Sequence, residues 1–302
     1  MALCSRCPAP AVFFQRASGR HHCREHLLED VERRVKRALR TAGLRPGERV
    51  AVGLSGGKDS ASALFLLRTL RPRVGLVAIT VDEGIAGYRS ETLKAAEALT
   101  ARLGVEHRVV RFSEAFGTTT DSAVAGGDGH PCSACGVFRR TLLNRTARES
   151  GAARLATGHN LDDEAQTILL NLLRGDSERT LRQNSSANLP GALPRLKPLR
   201  WVPEREVALY AMLRDLPVSF AECPHSGRSF RAEVRESLNS IEARHPGTKY
   251  AVVRGFEGLL TRLRPPEGAP AVACRVCGEA SARGVCEACR ILEGEPPKVT
   301  PT

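Results

Sequence analysis

The chain has 302 residues, a formal net charge of +12 and a pI near 9.6, because Lys and Arg outnumber Asp and Glu by 45 to 33. Such a length can bury a sizeable core, and the basic balance suits a nucleic-acid partner, although it also serves solubility alone. No apolar run is long enough to span a bilayer and no signal-peptide core is present, so we expect a soluble, cytoplasmic protein without a membrane partner.

The first motif in chain order is a set of metal-ligand residues. The pattern Cys-x2-Cys-x15-Cys-x2-His comprises Cys4, Cys7, Cys23 and His26. Four sulfur and nitrogen ligands in two short knuckles are typical of a closed, structural zinc site. His21 and His22 are predicted to be surface residues, and either one is an alternative to His26 as the fourth ligand. A helix with one apolar face is predicted to follow at residues 25–42.

A glycine turn lies between a predicted strand at residues 50–54 and a predicted helix that begins near Asp59. Its sequence is Ser55-Gly56-Gly57-Lys58-Asp59-Ser60. Glycines let the backbone pass close to a ligand, and the amides at the start of the helix favour an anion. The turn is not a Walker A loop, because its glycines are adjacent and an Asp follows the Lys. We therefore predict a phosphate-binding turn rather than an ordinary capped junction.

Strands and helices then alternate as far as residue 173. Strands are predicted at residues 75–81, 107–112 and 154–157, and helices at 90–103 and 161–173. This alternation predicts an α/β fold with a parallel sheet, helices on both faces, and a ligand site at the carboxyl ends of the strands. Asp82 and His159 follow two of these strands. Residues 117–129 are predicted to form a flexible loop over the site.

Three acidic residues open the last of these helices. They are Asp162, Asp163 and Glu164. Acids at this position stabilise a helix through its dipole, and they are also ligands that Mg²⁺ prefers. Opposite a phosphate-binding turn, we expect at least one of them to act on magnesium or nucleotide.

The C-terminal part contains a second zinc pattern. Residues 183–203 are predicted to form a connecting loop, residues 204–213 and 230–243 helices, and the prolines at 265, 266 and 270 a linker. The pattern Cys-x2-Cys-x8-Cys-x2-Cys comprises Cys274, Cys277, Cys286 and Cys289. We predict an N-terminal zinc finger at 1–28, a catalytic domain at 29–265, a zinc ribbon at 270–292 and a disordered tail at 293–302.

Three of the ten cysteines lie outside both patterns, namely Cys132, Cys135 and Cys223. A structural zinc takes four ligands, so a set of three predicts an open metal site or reactive thiols. A Cys-x2-Cys pair with a distant third cysteine can hold a [4Fe–4S] cluster in which one iron has no protein ligand. A redox dithiol, a zinc held by three thiolates and a persulfide-bearing cysteine fit the spacing equally well.

Taken in order, these motifs resemble the TtuA/NcsA group of tRNA uridine 2-thiolation enzymes, relatives of the TtcA cytidine thiolases. The glycine turn is similar to their PP-loop. The resemblance extends over residues 4 to about 290, through Cys132-x2-Cys135, the stretch Gly158 to Asp163, and Glu222-Cys223-Pro224. It implies a Rossmann-like PP-loop ATP pyrophosphatase fold and a tRNA sulfurtransferase. Such an enzyme adenylates a uridine C2 oxygen and replaces this oxygen with sulfur.

The resemblance also implies cofactors, partners and site residues. The cofactors are ATP, Mg²⁺, a [4Fe–4S] cluster and two structural Zn²⁺, and the partners are tRNA, a ubiquitin-like thiocarboxylated sulfur carrier and a second copy of the chain. ATP contacts are implied at Gly53, Ser55, Gly56, Gly57, Lys58, Asp59, Ser60, Thr80, Arg139 and Gly158. The implied cluster ligands are Cys132, Cys135 and Cys223, and the implied catalytic acid is Asp163.

The target nucleotide is the wobble uridine 34 or the T-loop 5-methyluridine 54. Some T-loop enzymes of this group carry Lys at the position of Arg139, and Lys offers a point charge where Arg offers a planar fork. The stretch Val137-Phe138-Arg139-Arg140 is more similar to the wobble-modifying branch, which favours uridine 34.

Two other functions remain open at this point. Another ATP pyrophosphatase chemistry, such as amidation or ligation, needs the glycine turn but not the three remaining cysteines. A non-catalytic zinc-ribbon RNA-binding protein would use the sheet only as a scaffold and would not turn over ATP. Iron and sulfide content under anaerobic conditions distinguishes both from a thiolation enzyme.

Overall fold

The structure, a computed structural model, describes residues 2–125, 131–176, 181, 193–225, 229–263, 272–281 and 284–294. The predicted tail beyond residue 294 and the three prolines of the predicted linker lie outside these residues. Within the described ranges, no helix is both long and apolar enough to cross a membrane.

The helices and strands are numbered here in chain order. They are β1 Phe13–Gln15, β2 Arg20–His22, α1 Arg24–Thr41, β3 Arg49–Gly53, α2 Lys58–Leu70, β4 Gly75–Asp82, α3 Tyr88–Leu103, β5 Glu106–Arg111, α4 Phe112–Phe116, α5 Thr120–Ala125, α6 Pro131–Glu149, β6 Arg154–Ala156, α7 Leu161–Leu173, β7 Arg195–Leu196, α8 Glu204–Leu213, α9 Phe230–Arg244, α10 Thr248–Leu260, β8 Val272–Ala273, β9 Ala280–Ser281 and α11 Glu287–Leu292.

A five-stranded parallel sheet with the order β5-β4-β3-β6-β7 forms the centre of the protein. The strand before the glycine turn, β3, is the middle strand, and its Val52 lies between Ala78 of β4 and Ala156 of β6. The predicted α/β fold with a parallel sheet is therefore confirmed. The glycine turn leaves the sheet at its centre, with a strand on either side.

Alternate residues of β3 pack against opposite layers of helices. Val50 and Val52 belong to the largest buried cluster, which includes residues of α1, α2 and α8. Ala51 packs on the other face with Leu155 of β6 and Ala147 of α6. Because both faces are covered, the strand is apolar throughout, as expected for a buried parallel strand.

Two segments predicted as loops contain regular structure, and these predictions were wrong. Part of the predicted flexible loop at 117–129 is helix α5, and residues 126–130 lie outside the described part of the chain. The predicted connecting loop at 183–203 contains β7, which pairs with Leu155 and Ala156. A two-residue strand has no periodicity of its own, so its pairing partner rather than its local sequence defines it.

The C-terminal cysteine module packs on α6. Phe138 and Leu142 of α6 share a buried cluster with Ala288 and the module's cysteines. Glu279, also buried, accepts a hydrogen bond from Arg145 Nε at 3.2 Å. A helix that was not predicted from the sequence therefore carries both the module and, at its start, Cys132-x2-Cys135.

Candidate active site

The glycine turn joins β3 to α2 and has one position that only glycine can occupy. Gly56 has φ +86°, and a Cβ there would lie 2.0 Å from the carbonyl oxygen of Thr92 in α3. Gly57 has an ordinary φ of −85°, and a Cβ there would find its nearest neighbour, Ser55 Oγ, at 3.7 Å. Gly56 is thus needed for the fold of the turn, whereas Gly57 is needed only if a ligand approaches it.

Two serine residues hold the turn in shape. Ser60 Oγ accepts a hydrogen bond from the Ser55 amide at 3.0 Å and donates one to the Gly57 carbonyl at 3.1 Å. No described side chain caps α2, so the amides of its first turn can bind an anion at the positive end of the helix dipole. Gly158 packs closely on this turn, because a Cβ there would lie 2.7 Å from the Ser60 nitrogen. The geometry fits a bound polyphosphate.

Asn160 connects an acid of the glycine turn to an acid of α7. Asn160 Nδ2 donates to Asp59 Oδ1 at 3.1 Å, and Asn160 Oδ1 accepts from the Asp163 amide at 3.1 Å. Burial raises the pKa of both carboxyl groups, although the nearby Lys58 opposes this effect at Asp59. Two carboxyl groups that resist ionisation in one crevice fit a bound cation such as Mg²⁺, which would favour their charged forms.

The other two acids at the start of α7 are used in structural contacts. Asp162 accepts from Lys249 Nζ, and Glu164 accepts from Lys197 Nζ at 2.5 Å. Both acids are buried. Asp163 accepts from the Asn160 amide at 3.2 Å and lies 3.8 Å from Arg231, but it binds no lysine in the described part of the chain, so it stays the candidate of the three for magnesium or nucleotide.

Thr80 and Gly53 both lie near the carboxyl ends of central strands, as predicted for ATP contacts. The Thr80 side chain is buried, however, and its Oγ1 donates to the Leu54 carbonyl at 2.8 Å. His107 Nε2 lies 2.8 Å from Thr80 Oγ1. The hydroxyl of Thr80 therefore holds the residue before the turn, and its assignment as a nucleotide contact stays a prediction.

A buried ion pair that the sequence analysis missed lies behind Arg139. Arg139 of α6 is half exposed, with Nη1 3.6 Å from Glu83 Oε1. Glu83 is buried and pairs with the buried Arg89 at 2.9 Å. Arg89 also donates to the carbonyl oxygens of Ser55 and Val81. The pair thus connects the glycine turn, the end of β4 and Arg139, a set of contacts that no local pattern encodes.

The three remaining cysteines come from two distant segments that touch. Cys132 lies in the first turn of α6, where the helix dipole favours a thiolate, and Cys135 follows just beyond this turn. Cys132 Sγ donates to the carbonyl oxygen of His225, two residues beyond Cys223, at 3.1 Å. Asp121 Oδ1 lies 2.7 Å from His225 Nε2 and holds this segment against α5. Sequence analysis placed no role on Asp121 or His225.

The three cysteines do not form a set as compact as the two zinc patterns. Within the described residues, only those two patterns bring their ligand atoms within 4.8 Å of one another. Burial raises the pKa of the Cys135 thiol, and Cys223 lies close enough to add to this rise. A single zinc needs closely spaced thiolates, whereas cysteines that bind different irons of one cluster stand farther apart. Three cysteines on two touching segments fit a cluster in which each binds a different iron.

Both zinc patterns are assembled as compact sets of four. Their ligand separations include Cys4 Sγ to His26 Nδ1 at 3.1 Å, Cys7 Sγ to Cys23 Sγ at 3.8 Å, Cys274 Sγ to Cys289 Sγ at 3.9 Å and Cys277 Sγ to Cys286 Sγ at 3.5 Å. These separations suit a tetrahedron with Zn–S bonds of about 2.3 Å. The fourth N-terminal position belongs to His26, while the ring of His21 stacks on Phe14. His22 was predicted to be a surface residue, and this was wrong, because its side chain is buried.

One thiol in each zinc set is prepared for metal binding. Burial opposes ionisation of Cys4, but backbone amides and His26 lower its pKa to about 5. Burial likewise opposes ionisation of Cys274, whose sulfur accepts from the Cys286 amide at 3.2 Å, and its pKa is lowered to about 6. Zinc binds thiolates, so both sets fit the ion.

Comparisons with known proteins place these features in a family. A family model described as a PP-loop domain matches residues 27–241. The tRNA 2-thiolation protein NcsA of Haloferax volcanii is 39% identical to this chain, over 96% of this chain and 98% of its own length. This chain belongs to the NcsA group of PP-loop proteins. The resemblance inferred from the sequence motifs is thus confirmed.

Two further members of the group show how far the similarity extends. The cytoplasmic tRNA 2-thiolation protein 1 of Bos taurus is 40% identical, over 96% of this chain and 87% of its own length. The solved structure of the U34-tRNA thiolase NcsA from Methanococcus maripaludis, described with its [4Fe–4S] cluster, is 37% identical, has a TM-score of 0.86 and covers 99% of both chains.

Proposed function

We propose that this protein is an ATP-dependent tRNA 2-thiolation enzyme that acts on the wobble uridine. The relatives named above are tRNA 2-thiolation proteins, and the NcsA from Methanococcus maripaludis is described as a U34-tRNA thiolase. This similarity, together with the stretch that contains Arg139, favours uridine 34 over the T-loop uridine 54. The cytoplasmic location is proposed because the Bos taurus relative is named as cytoplasmic.

One contact carries the proposal, because it joins the nucleotide site to the cysteine site. The amide of Ser219 donates to the Gly56 carbonyl at 2.9 Å, only four residues before Cys223. An amidation or ligation enzyme has no use for thiols beside its nucleotide turn, and an RNA-binding scaffold has no use for the turn. Joint use of both sites is what thiolation requires.

The chemistry begins with transfer of AMP from ATP to the C2 oxygen of uridine, with pyrophosphate as the leaving group. The glycine turn and the first-turn amides of α2 would hold the phosphates. Asp59 and Asp163 are the proposed ligands or proton acceptors beside Mg²⁺, and Arg139 would offset charge that develops on the phosphates. Sulfide then replaces the oxygen at C2, and AMP leaves with that oxygen. No electrons are gained or lost by the uridine.

A [4Fe–4S] cluster on Cys132, Cys135 and Cys223 would supply sulfide from the iron that has no protein ligand. The start of α6 would hold two of the thiolates, and the contact from Cys132 to the segment after Cys223 would set the distance to the third. We propose a ubiquitin-like thiocarboxylated protein as the sulfur source. From the family resemblance we also propose two structural zinc ions and a second copy of the chain as a partner. The proposed domain boundaries lie at residues 28, 265 and 270.

Thiolation by the anaerobically reconstituted protein tests this function. Unmodified tRNA, ATP, Mg²⁺ and sulfide should yield 2-thiouridine, AMP and pyrophosphate, and tRNA in which uridine 34 is replaced by cytidine should yield none. Separate Ala variants at Cys132, Cys135 and Cys223 should lose thiolation but still bind ATP. Full activity in an iron-free preparation would remove the cluster from the mechanism, and release of ADP would contradict the PP-loop chemistry.

A further inference from the structure

A deep basic groove lies at the β7 edge of the sheet, between α1 and α10. Its volume is about 970 Å³, and its lining contains seven Arg or Lys side chains but one acid, Glu257. Four of the seven cations form ion pairs, as in the contact of Arg200 with Glu257 at 2.6 Å. The groove therefore carries a positive charge that its own acids do not neutralise.

Three of the lining cations form no ion pair with an acid in the described part of the chain. They are Arg37, Arg195 and Arg254, from α1, β7 and α10. They reach the same groove from three elements, so their charges converge on one space. Burial and the nearby Arg140 lower the pKa of Arg195 to about 10.

A second cavity of about 380 Å³ adjoins the groove, since it shares Arg254 and Tyr250 with it and extends to Arg20 in the N-terminal cysteine module. At its other end, Arg195 and Lys197 lie near His159 in the crevice. Desolvation, with these cations, lowers the His159 pKa to about 4. The positive surface thus runs from the module to the candidate active site.

The groove also has aromatic walls. Arg200 lies over the ring of Trp201 at 5.3 Å, and Arg254 lies over the ring of Tyr250 at 5.8 Å. Arginine side chains held against rings are arranged to meet phosphates and sugars at fixed positions. A repeated line of phosphates fits such a surface better than an acidic protein, whose charges are not regularly spaced.

We propose that this groove binds the sugar-phosphate backbone of the RNA substrate and guides it from the N-terminal module to the crevice. The identity of the RNA as tRNA rests on the proposed function, whereas the groove's affinity for RNA does not. Backbone contacts of this kind fix position and register without reading the sequence.

Binding of unmodified tRNA to the full chain, measured by fluorescence anisotropy at several NaCl concentrations, tests the groove. The double variant Arg37→Glu/Arg254→Glu is compared with Arg73→Glu/Lys94→Glu, which replaces two exposed cations that line neither cavity. Both variants change the net charge equally. We expect the groove variant to bind roughly tenfold or more weakly, with a salt slope lower by about 1 to 2, and the control to keep the wild-type slope.

Equal weakening in both double variants would overturn the groove, since only net charge would then matter. Wild-type RNA binding by the groove variant, with loss of binding to an acidic carrier protein, would overturn it as well. Arg195→Gln removes one half-buried charge and keeps the assay informative if the double variant misfolds; normal affinity and slope in this variant would also contradict the proposal.

The outcomes separate the groove from the proposed function. If the groove variant binds RNA weakly and the wild-type protein thiolates no tRNA, the groove is supported and the proposed function is contradicted. If the groove variant binds RNA normally and the wild-type protein does thiolate tRNA, the proposed function is supported and the groove is contradicted.

Discussion

The backbone amide of Ser219 donates a 2.9 Å hydrogen bond to the carbonyl oxygen of Gly56. Gly57 and Ser219 form a parallel bridge at the same place. The segment that leads to Cys223 is therefore an added strand-like partner of the glycine turn. Movement of the turn when nucleotide binds would be transmitted to Cys223 through backbone rather than through side chains.

Ser219→Pro should uncouple the two sites, because proline has no amide hydrogen to donate. We expect ATP binding close to wild type, lower iron retention and thiolation reduced by roughly a hundredfold, the order that a 1 Å misplacement of reacting groups can cost. Iron content and single-turnover thiolation measure this effect. Ser219→Ala is the control, since it keeps the amide and loses only the 3.1 Å contact from the Ala221 amide; equal damage in both variants would contradict the role of the backbone bond.

Gly57→Ala should abolish nucleotide binding without unfolding the protein. A Cβ at Gly57 meets no atom nearer than 3.7 Å, but it would occupy the side of the turn where phosphate approaches. Gly56→Ala should instead destabilise the chain by several kcal/mol, because it combines a positive φ with a contact of 2.0 Å to backbone. Thermal unfolding and ATP titration distinguish the two; nucleotide binding that survives in Gly57→Ala would show that the phosphates lie elsewhere.

Asp163→Asn should raise stability at neutral pH while it reduces thiolation by roughly a hundredfold or more, the range of general acid–base contributions. Burial raises the pKa of Asp163, so the folded state binds more protons than the unfolded state between the two pKa values. Wild-type stability must then fall as the pH rises through that range. The free energy of unfolding of Asp163→Asn should exceed that of the wild type above the raised pKa of Asp163. The two should be equal below the ordinary pKa range of a carboxyl group.

Unfolding measured from acid to neutral pH, without ATP or Mg²⁺, checks this sign. The Asn oxygen can still accept the 3.2 Å hydrogen bond from the Asn160 amide, so the start of α7 is preserved. A stability gain at acid pH that disappears near neutrality would reverse the predicted direction.

Removal of the C-terminal zinc should loosen the cysteine site, because its module packs on α6. Cys274→Ser should lower zinc from two ions per chain to one and also reduce iron retention at Cys132 and Cys135. Cys4→Ser should lose the other zinc with little effect on iron, since its module packs beside α1 instead. Metal analysis of both variants measures the difference; equal iron loss would place the effect in global stability rather than in α6.

The sequence predicted the central sheet because β3, β4 and their helices have strong local patterns. Both sets of zinc-ligand residues and the glycine turn could also be predicted from the sequence, since the residues of each lie close together in the chain. The local pattern did not separate the three acids at the start of α7, and only the family resemblance singled out Asp163. Only the structure shows that Asp162 and Glu164 bind lysines while Asp163 does not.

The parts that sequence analysis missed depend on distant contacts. The pair Glu83–Arg89 lies in segments that show no motif, and the bond from Ser219 to Gly56 joins the glycine turn to a segment that shows none. Asn160 offered the clearest overlooked signal, because an Asn three positions before an Asp at a helix start is a capping pattern. Its second bond, to Asp59, lies 101 positions away in the chain and could not be inferred.

The spacing of the metal ligands along the chain sets an order of assembly. The N-terminal zinc set spans 22 positions and the C-terminal set 15, so each can close within its own short segment during synthesis. Cys132 meets the segment after Cys223 across 93 positions, with β6, α7, β7 and α8 in between. If the proposed cluster forms, its three ligands can therefore meet only after the sheet is complete, whereas each zinc set could bind its ion while the rest of the chain is still unfolded.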